Sequence, residues 1–326
     1  MAYSSEVVRL AQQRLAEMKA DRESENLQHL MDAYTKVPRI REIDGLLRRS
    51  MVLAAQAAFS SGADAQTAME KVKEENLALQ KERYALATAN FAPGYLDETP
   101  ICGRCGGSGY IGSQMCSCLQ ELCRQEQVKR LALLADPNAR FENFRLDYYT
   151  EIPDSKLGAS PRKLMERTLN SCRKYAAEFS LSSGNLLFSG NTGLGKTFLS
   201  ACIAREVAAK GFSVCYESAH HLFGKLERNR FEPSAQTRQQ VAQIMDCDLL
   251  IIDDLGTELP GNFVTAALYN LINDRILAGK PMIVSTNLNV QELALRYSPQ
   301  IASRLQGNFQ QKIFLGQDIR VMLNRG

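Results

Sequence analysis

The chain has 326 residues, of which 45% are hydrophobic and 23% are charged, and its formal net charge is +3. These values are typical of a soluble globular protein with two domains, and the small positive excess does not by itself indicate nucleic-acid binding. No run approaches the ~20 apolar residues of a membrane span, and the start "MAYSSEVVRLAQQRL" has no apolar signal core. We therefore expect a cytoplasmic protein without a membrane partner.

The first third of the chain is predicted to be helical. The predicted segments cover residues 3–34, 41–59 and 64–89, separated where Pro38 would stop a helix and Gly62 would cap one. Apolar residues follow a helical stripe only loosely in the third segment. These segments form either a small helical bundle that buries its own apolar faces or a helical surface offered to a partner protein, and the pattern does not separate the two.

A cysteine-rich segment follows the helices. The run "CGRCGGSGYIGSQMCSC" has the spacing C-x2-C-x10-C-x-C, in which two close pairs flank a glycine-rich turn and can hold one tetrahedral Zn²⁺. The predicted ligands are Cys102, Cys105, Cys116 and Cys118, with Cys123 as a spare that can replace one of them. Four thiolates leave no open position for water, so the predicted zinc is structural. An unligated loop and a redox C-x-x-C pair are the alternatives.

The chain then changes character. A helix is predicted near residues 119–134, and "DPNARFENFRLDYYTEIPDSKLGASP" is predicted to be a linker. From about residue 163 onward, short apolar runs alternate with helices; the runs are "NLLFS", "FSVCY", "DLLII", "MIVST" and "KIFL". Each run is nearly continuous in apolar residues, as strands covered on both faces are. The sequence therefore predicts an α/β fold with a parallel sheet.

A glycine-rich loop lies between the first of these strands and a helix. It fits G-x-x-x-x-G-K-[ST] with Gly190, Asn191, Thr192, Gly193, Leu194, Gly195, Lys196 and Thr197. Glycines let successive N–H groups turn toward phosphate oxygens, Lys196 would reach the β and γ phosphates, and Thr197 would place a hydroxyl on Mg²⁺. The helix that begins at the loop adds its positive end. We expect ATP to bind here; the alternative is a chance match of glycines.

Two adjacent carboxylates follow the strand in "DLLIIDDLGTE". Asp253 would hold Mg²⁺ through water, and Asp254 would orient or activate the attacking water, with Glu258 as a less favoured helper. A solvated turn after a buried strand is the alternative. Further along, Asn287 follows the strand "MIVST" and would reach the γ-phosphate side of the site.

The order of these motifs resembles the AAA+ ATPases of the DnaC/DnaI type, the bacterial replicative helicase loaders. The resemblance covers roughly residues 141–326 and rests on G-N-T-G-L-G-K-T, I-I-D-D-L-G-T-E, I-V-S-T-N-L, I-A-S-R-L and G-Q-D-I-R in succession. It implies that Asn287 is the sensor 1 residue, Arg304 an arginine finger for a neighbouring subunit, and Arg320 the sensor 2 arginine. Asp254 stands where wider AAA+ proteins often have glutamate, which suggests slow hydrolysis.

The same resemblance implies an AAA+ P-loop sheet preceded by a helical N-terminal domain, whose cysteine segment looks like the small zinc module of DnaI-type loaders. We expect no C-terminal lid, because the sequence continues for six residues after Arg320. Residues 1–140 would hold a replicative helicase, a hexamer of the DnaB type, and residues 141–326 would form the ATPase domain that assembles with further copies of itself. An IstB-like transposition helper that acts with a transposase on duplex DNA is the rival within this ATPase branch. A nucleotide-dependent DNA-binding module without hydrolysis is a third interpretation.

The resemblance implies that the region "ESAHHLFGKLERNRFEPSAQTRQQVAQIM" carries an extra helix that contacts single-stranded DNA. Within this region, the run "HHLFGKLERNRF" contains His221, Phe223, Lys225, Arg228, Arg230 and Phe231. It interleaves aromatic and cationic residues, and we expect Phe223 and Lys225 to take part in stacking and phosphate contact. An amphipathic surface helix with ordinary charges is the alternative.

Overall fold

The computed structural model describes residues 3–58, 63–134, 138–153 and 158–323. Residue 59 and Gly62, which entered the prediction of helix ends, lie outside these ranges. The chain divides into two compact units, Gln13–Cys116 and Met1–Gln12 together with Ser117–Gly326. The functional boundary at residue 140 stays a prediction.

Long helices dominate the first part of the chain, as the sequence predicts. They are α1 (Ser5–Lys36), α2 (Pro38–Ala58) and α3 (Ala63–Asn90). The predicted break at Pro38 is confirmed, because α1 ends at Lys36, just before the residue that precedes the proline. Pro38 also begins α2, since the first helical position needs no backbone N–H and the proline ring already has a helical φ. Ion pairs join α2 to α3: Arg83 Nε lies 2.6 Å from Asp44 Oδ1, and Arg39 Nε lies 2.8 Å from Glu82 Oε1.

A short hairpin and a helix follow in sequence. The hairpin consists of β1 (Tyr110–Ile111) and β2 (Gln114–Met115), which pair antiparallel, and the helix is α4 (Ser117–Leu134). None of the helices in the described ranges is long and apolar enough to cross a bilayer.

A five-stranded parallel sheet forms the centre of the unit that contains residues 117–323. The strand order is β4-β5-β6-β3-β7. The strands are β3 (Asn185–Ser189), β4 (Val214–Ser218), β5 (Leu249–Leu255), β6 (Met282–Thr286) and β7 (Phe309–Ile313). The helices are α5 (Pro161–Ala177), α6 (Lys196–Ala209), α7 (Ala219–Phe231), α8 (Ala235–Asp246), α9 (Asn262–Leu277), α10 (Val290–Arg296), α11 (Pro299–Asn308) and α12 (Ile319–Leu323). The predicted α/β class and the parallel sheet are confirmed.

Apolar cores cover both faces of this sheet. Side chains alternate along each strand, so Leu186 and Phe188 of β3 join one core, whereas Leu187 joins the other. The first core is completed by residues of α5 and α6, and the second by residues of α7, α9 and α11. Burial on both faces explains why the strands are nearly continuous in apolar residues.

The segment predicted to be a linker contributes to the first core. Two short 3₁₀ helices, Phe141–Asn143 and Leu146–Tyr148, lie in it. Phe141 is 5% exposed and Tyr149 is 1% exposed, and both belong to the core shared with α5 and α6. The linker interpretation is therefore wrong for this stretch, because its aromatic residues anchor the backbone to the domain.

Candidate functional site

A cavity of about 420 Å³ lies at the carboxyl ends of the central strands. Ligands of open parallel sheets bind at this edge. The structure brings together at this cavity most of the residues predicted for the nucleotide site: Thr192, Gly193, Leu194, Gly195, Lys196, Thr197, Asp254, Asn287 and Arg320 all line it. Among the described residues, Gly190, Asn191, Asp253 and Arg304 are not part of the lining.

The glycines of the loop after β3 have the backbone conformation that the motif requires. Gly190, Gly193 and Gly195 have φ angles of 144°, 70° and 86°, which side chains with a Cβ rarely adopt. Gly190 also leaves no room for a Cβ, because the backbone of Phe314 packs against it. The loop therefore turns directly into α6, whose first N–H groups form a site for an anion.

Lys196 is the first residue of α6, and its amine lies within the loop. Nζ donates to the carbonyl oxygens of Gly190 and Asn191, each at 2.7 Å. These two residues do not line the cavity, but their carbonyl groups fix the position of the lysine amine. Burial lowers the pKa of Lys196, Asp254 and Asp253 oppose that effect, and Arg320 adds to it. The site thus places several charges close enough to influence one another.

Asp253 is buried at the end of β5, with 5% of its surface exposed. Tyr216 OH donates to its Oδ2 at 2.8 Å, and Ser285 Oγ donates to its Oδ1. The carboxylate of Asp253 in turn helps raise the pKa of Tyr216, after burial of the phenol. These two hydroxyls fix the carboxylate of Asp253 in one orientation.

Asp254 has a conformation unlike that of its neighbour. Its φ is 55°, and it is the sole non-glycine residue of the described ranges with a positive φ. The pairing of β5 with β6 shifts register between Ile252 and Leu255, and Asp254 N donates to Ser285 Oγ at 2.9 Å. Residues held in such conformations cluster at functional sites. The bulge turns the Asp254 carboxylate into the cavity, while that of Asp253 stays in the core.

The surroundings of Asp254 favour its protonated form. The side chain is open to solvent in the cavity, yet nearby protein atoms displace enough water to raise its pKa, and the negative charge of Asp253 raises it further. Lys196 and Arg320 oppose this shift. A carboxylate with a raised pKa is a better acceptor for the proton of a nucleophilic water than an ordinary aspartate.

Glu258 and Arg304 lie away from the cavity lining. Glu258 is 3% exposed; it accepts hydrogen bonds from Gly256 N at 3.0 Å and from Tyr297 OH. Arg304 lies over the Tyr269 ring, with its guanidinium carbon 4.3 Å from the centroid, and donates to Tyr269 OH at 2.7 Å. Glu258 therefore stabilises the turn after β5, and Arg304 is held on α11 against α9.

The cavity is also lined by an aromatic segment, whose residues the sequence did not lead us to predict as part of the site. Phe144, Arg145, Tyr148 and Tyr149 face the loop, and Tyr149 OH donates to Leu194 O at 2.9 Å. Phe144 stacks with Tyr149, with 5.8 Å between the ring centroids. The signal was present as four aromatic residues within "FENFRLDYY", which is an unusual density for a linker.

The four predicted zinc ligands come together. The ligand sulfurs of Cys102, Cys105, Cys116 and Cys118 all lie within 4.8 Å of one another, and Cys102 Sγ lies 3.8 Å from Cys116 Sγ. A Zn–S bond of about 2.3 Å in a tetrahedron requires sulfurs about 3.8 Å apart, so the donor set fits zinc. Cys123, which also lies in the described part of the chain, is not in this group; it is buried, and burial raises its pKa to about 11.

The predicted contact between Phe223 and DNA is wrong. Phe223 is 3% exposed and packs in the second core, and Lys225 forms an ion pair with Glu217. Phe231, which is 66% exposed at the end of the same helix, is the aromatic residue available to a ligand. The helical spacing of α7 turns Phe223 toward the sheet, a distinction that residue content alone does not reveal.

Comparison with known proteins agrees with the site geometry. Residues 119–299 match the family model described as IstB-like ATP binding protein. The replicative helicase loader DnaC of Escherichia coli K12 is 24% identical over 57% of this chain and 67% of its own length. The DnaC loader of Buchnera aphidicola (strain Bp) is 17% identical over 63% of this chain and 76% of its own.

A solved structure described as the DnaC helicase loader covers 54% of this chain and 98% of its own, with 20% identity and a TM-score of 0.43. The resemblance to DnaC-type loaders that the motif order predicted is confirmed by the relatives in sequence. Because the family model matches more than half of the chain, the protein belongs to the family of IstB-like ATP-binding proteins.

Proposed function

We propose that this chain is an ATP-dependent loader of the replicative DNA helicase, which it delivers onto single-stranded DNA when replication begins. The observation that carries the proposal is the set of relatives named replicative helicase loader DnaC, which match 57% of this chain or more. The cavity lined by the phosphate loop, Asp254, Asn287 and Arg320 supports a role in which ATP controls the delivery.

The proposed reaction is hydrolysis of ATP. The loop N–H groups and Lys196 bind the phosphates. Thr197 and, through water, Asp253 would hold Mg²⁺, which would supply positive charge to the phosphates. Asp254 accepts a proton from the attacking water as the oxygen of that water bonds to the γ phosphorus and ADP leaves. An aspartate is one methylene shorter than glutamate, so its contact with the water is less direct, and we expect slow turnover.

Three further residues complete the proposed site. Asn287 and Arg320 line the cavity, and we assign them to the γ-phosphate side as sensors of its presence. Arg304 is assigned to the site of a neighbouring copy, because its guanidinium is held by Tyr269 on a helix of the same chain and outside its own cavity. This assignment requires that the chain form oligomers through the ATPase domain, residues 141–326.

The segment 1–140 is proposed to hold the helicase, a hexamer of the DnaB type. The long helices α1, α2 and α3 offer exposed apolar side chains, among them Leu27 at 60% and Met31 at 57% exposure. A structural Zn²⁺ on the four clustered thiolates would stabilise the loop of residues 102–118, which has little secondary structure besides its hairpin.

Single-stranded DNA is proposed to bind at the exposed end of α7. The guanidinium carbon of Arg230 lies 5.6 Å from the ring centroid of Phe231 and 5.5 Å from that of Phe263. Such a combination of aromatic faces with a cation suits unpaired bases of any sequence.

A transposition helper of the IstB type is the second candidate function, and the name of the matching family model favours it. Its partner would be a transposase on duplex DNA. The test is to mix the tagged full-length protein separately with the replicative helicase and with an IS21-type transposase, with and without ATP. A loader should retain the helicase, and a protein that retains only the transposase and prefers duplex DNA is a transposition helper.

A further inference from the structure

The chain segment after β7 returns to the phosphate loop and contacts it at successive points. Phe314 N donates to Ser189 O at 2.7 Å, and Ile319 N donates to Gly193 O at 3.0 Å. The second bond joins the start of α12 to the glycine in the middle of the loop. This bond is a direct route by which a rearrangement of Gly193 on binding phosphate would reach the residues that begin α12.

The side chain of Asp318 makes a separate contact with the same glycine. Its carboxylate occupies the space that a Cβ on Gly193 would fill, so the two residues pack together only because position 193 has no side chain. Asp318 Oδ1 also accepts a hydrogen bond from Arg320 N at 2.9 Å. Asp318 thus caps the first turn of α12, and the same side chain packs against Gly193 of the loop.

Arg320 is the residue whose backbone N–H donates to this cap. Its side chain lines the cavity with Lys196 and Asp254, and its charge acts on both of them. The helix α12 covers only Ile319–Leu323, so a single capping interaction contributes a large part of its local order.

We propose that Asp318 is a positioning residue, which holds Arg320 in the nucleotide cavity and couples its orientation to the conformation of the loop at Gly193. The inference rests on the proposed ATPase function. It adds that the conformation of the phosphate loop at Gly193 determines the orientation of Arg320, the arginine assigned as a sensor. The carboxylate acts through its hydrogen bond and its packing, and its charge is not required.

The test is a double-mutant cycle in the full-length protein with Asp318→Ala, Arg320→Ala and both together. ATP turnover is measured as kcat and KM, and affinities for ATP and ADP are measured separately with fluorescent analogues. We expect Asp318→Ala to lower kcat in the same direction as Arg320→Ala, by about tenfold, and the double variant to be no worse than Arg320→Ala alone. Asp318→Asn keeps the acceptor oxygen and should restore turnover to within about twofold.

Asp274→Ala is the matched control, because Asp274 is an exposed aspartate on α9 outside the cavity. Thermal unfolding of each variant excludes a general loss of fold.

Two results would overturn the inference. One is a double variant whose loss of kcat equals the product of the two single losses. The other is an Asp318→Asn variant as impaired as Asp318→Ala. If the wild-type protein binds ATP without hydrolysing it, the proposed ATPase function fails, and the same cycle in ATP affinity still tests Asp318. If Arg320→Ala changes neither turnover nor affinity, the inference fails while the ATPase can stand.

Discussion

At the scale of single residues, the two adjacent aspartates after β5 show how backbone geometry separates two chemical roles. Asp253 is held in the core by the hydroxyls of Tyr216 and Ser285, whereas the left-handed conformation of Asp254 turns its carboxylate into the cavity. Loss of water around Asp254 raises the pKa of its carboxyl group, and the charge of the buried Asp253 raises it further. One carboxylate is thus fixed in the core and the other faces the cavity. In the proposed function the first holds Mg²⁺ through water and the second accepts a proton.

Asp254→Asn should bind ATP but lose turnover, because the amide cannot accept the proton of the attacking water. Lys196→Ala should instead weaken ATP binding itself. Steady-state hydrolysis together with equilibrium binding of a fluorescent ATP analogue separates the two effects. Normal turnover in Asp254→Asn would contradict the assigned role.

The pH dependence of turnover should follow the raised pKa of Asp254. A general base works when it is deprotonated, so turnover should be lost as pH falls through the folded-state pKa of Asp254. Because burial and Asp253 raise that pKa, the loss should begin at a higher pH than the ordinary aspartate value of about 3.9 would give. The measurement is kcat/KM against pH, which reports the pKa of the base in the free protein, with circular dichroism at each pH to show that the fold persists. A rate independent of pH down to about 4 would argue against this base.

Arg304→Ala should lower turnover by a factor of roughly 10³ if the arginine completes a neighbouring site. Mixing this variant with Lys196→Ala should restore some activity, because a mixed pair forms one intact site from two defective copies. Activity is measured over a range of mixing ratios, with chromatography to establish that mixed oligomers form. Absence of any recovery in such oligomers would exclude action in trans.

The two phenylalanines of α7 should affect different properties when they are replaced by alanine, one the stability of the protein and the other its binding to single-stranded DNA. Phe223→Ala removes a buried ring from the second core and should cost about 3–5 kcal/mol of the free energy of unfolding. Phe231→Ala removes an exposed ring and should change stability by no more than about 0.5 kcal/mol while weakening single-strand binding. Urea unfolding and fluorescence anisotropy with a labelled oligonucleotide measure the two quantities. A stable Phe223→Ala variant would mean that this ring is not part of the core.

At the scale of elements, the regular parts of the nucleotide site could be predicted from the sequence and the irregular parts could not. The loop, its flanking strand and helix, and the acids after β5 depend on local periodicity and fixed spacing, which a single sequence displays. The aromatic segment around Phe144 and Tyr149 has no regular pattern, and its burial depends on contacts with α6 made far along the chain. The same is true of Asp318, whose partner Gly193 is distant in sequence.

The burial of a polar side chain is also difficult to predict from the sequence, because it depends on contacts between distant residues. Arg275 of α9 is 1% exposed and donates to backbone carbonyls before β5 and β6, including Cys247 O at 3.2 Å and Pro281 O at 2.9 Å. A sequence gives no means to distinguish this arginine from one on the surface, because what buries it is the approach of two loops to one helix.

The cysteine segment makes a prediction at the same scale. The purified protein should contain about one equivalent of zinc, and the double variant Cys102→Ser, Cys105→Ser should lose it and loosen the loop of residues 102–118. Cys123→Ser is the control, since this buried cysteine lies outside the cluster and its loss should leave the metal content unchanged. Metal analysis by mass spectrometry measures each protein. Zinc lost from Cys123→Ser, or a metal-free wild-type protein prepared without chelators, would contradict the site.

At the scale of the whole molecule, the chain combines a nucleotide-binding unit built on a parallel sheet with a unit of long helices. The first kind of unit is shared with many ATPases and says little about the partner, because function resides in sites that are added to a fold. The helical unit and the exposed end of α7 must therefore carry the specificity of the proposed loader. Exposed apolar and aromatic side chains, such as those of Leu27, Met31 and Phe231, are typical of surfaces that contact a partner.

Loading of the helicase onto a closed circle of single-stranded DNA tests the central claim most directly. A closed circle has no end to thread through a hexameric ring, so stable helicase on the circle reports that the ring was opened and closed again. The protein is mixed with the purified replicative helicase, the circle and ATP, and helicase that remains bound after a salt wash is quantified. We predict that the wild-type protein increases bound helicase severalfold, and that Lys196→Ala at equal concentration does not. No increase over helicase alone, under conditions in which the protein binds ATP, would contradict the loader account.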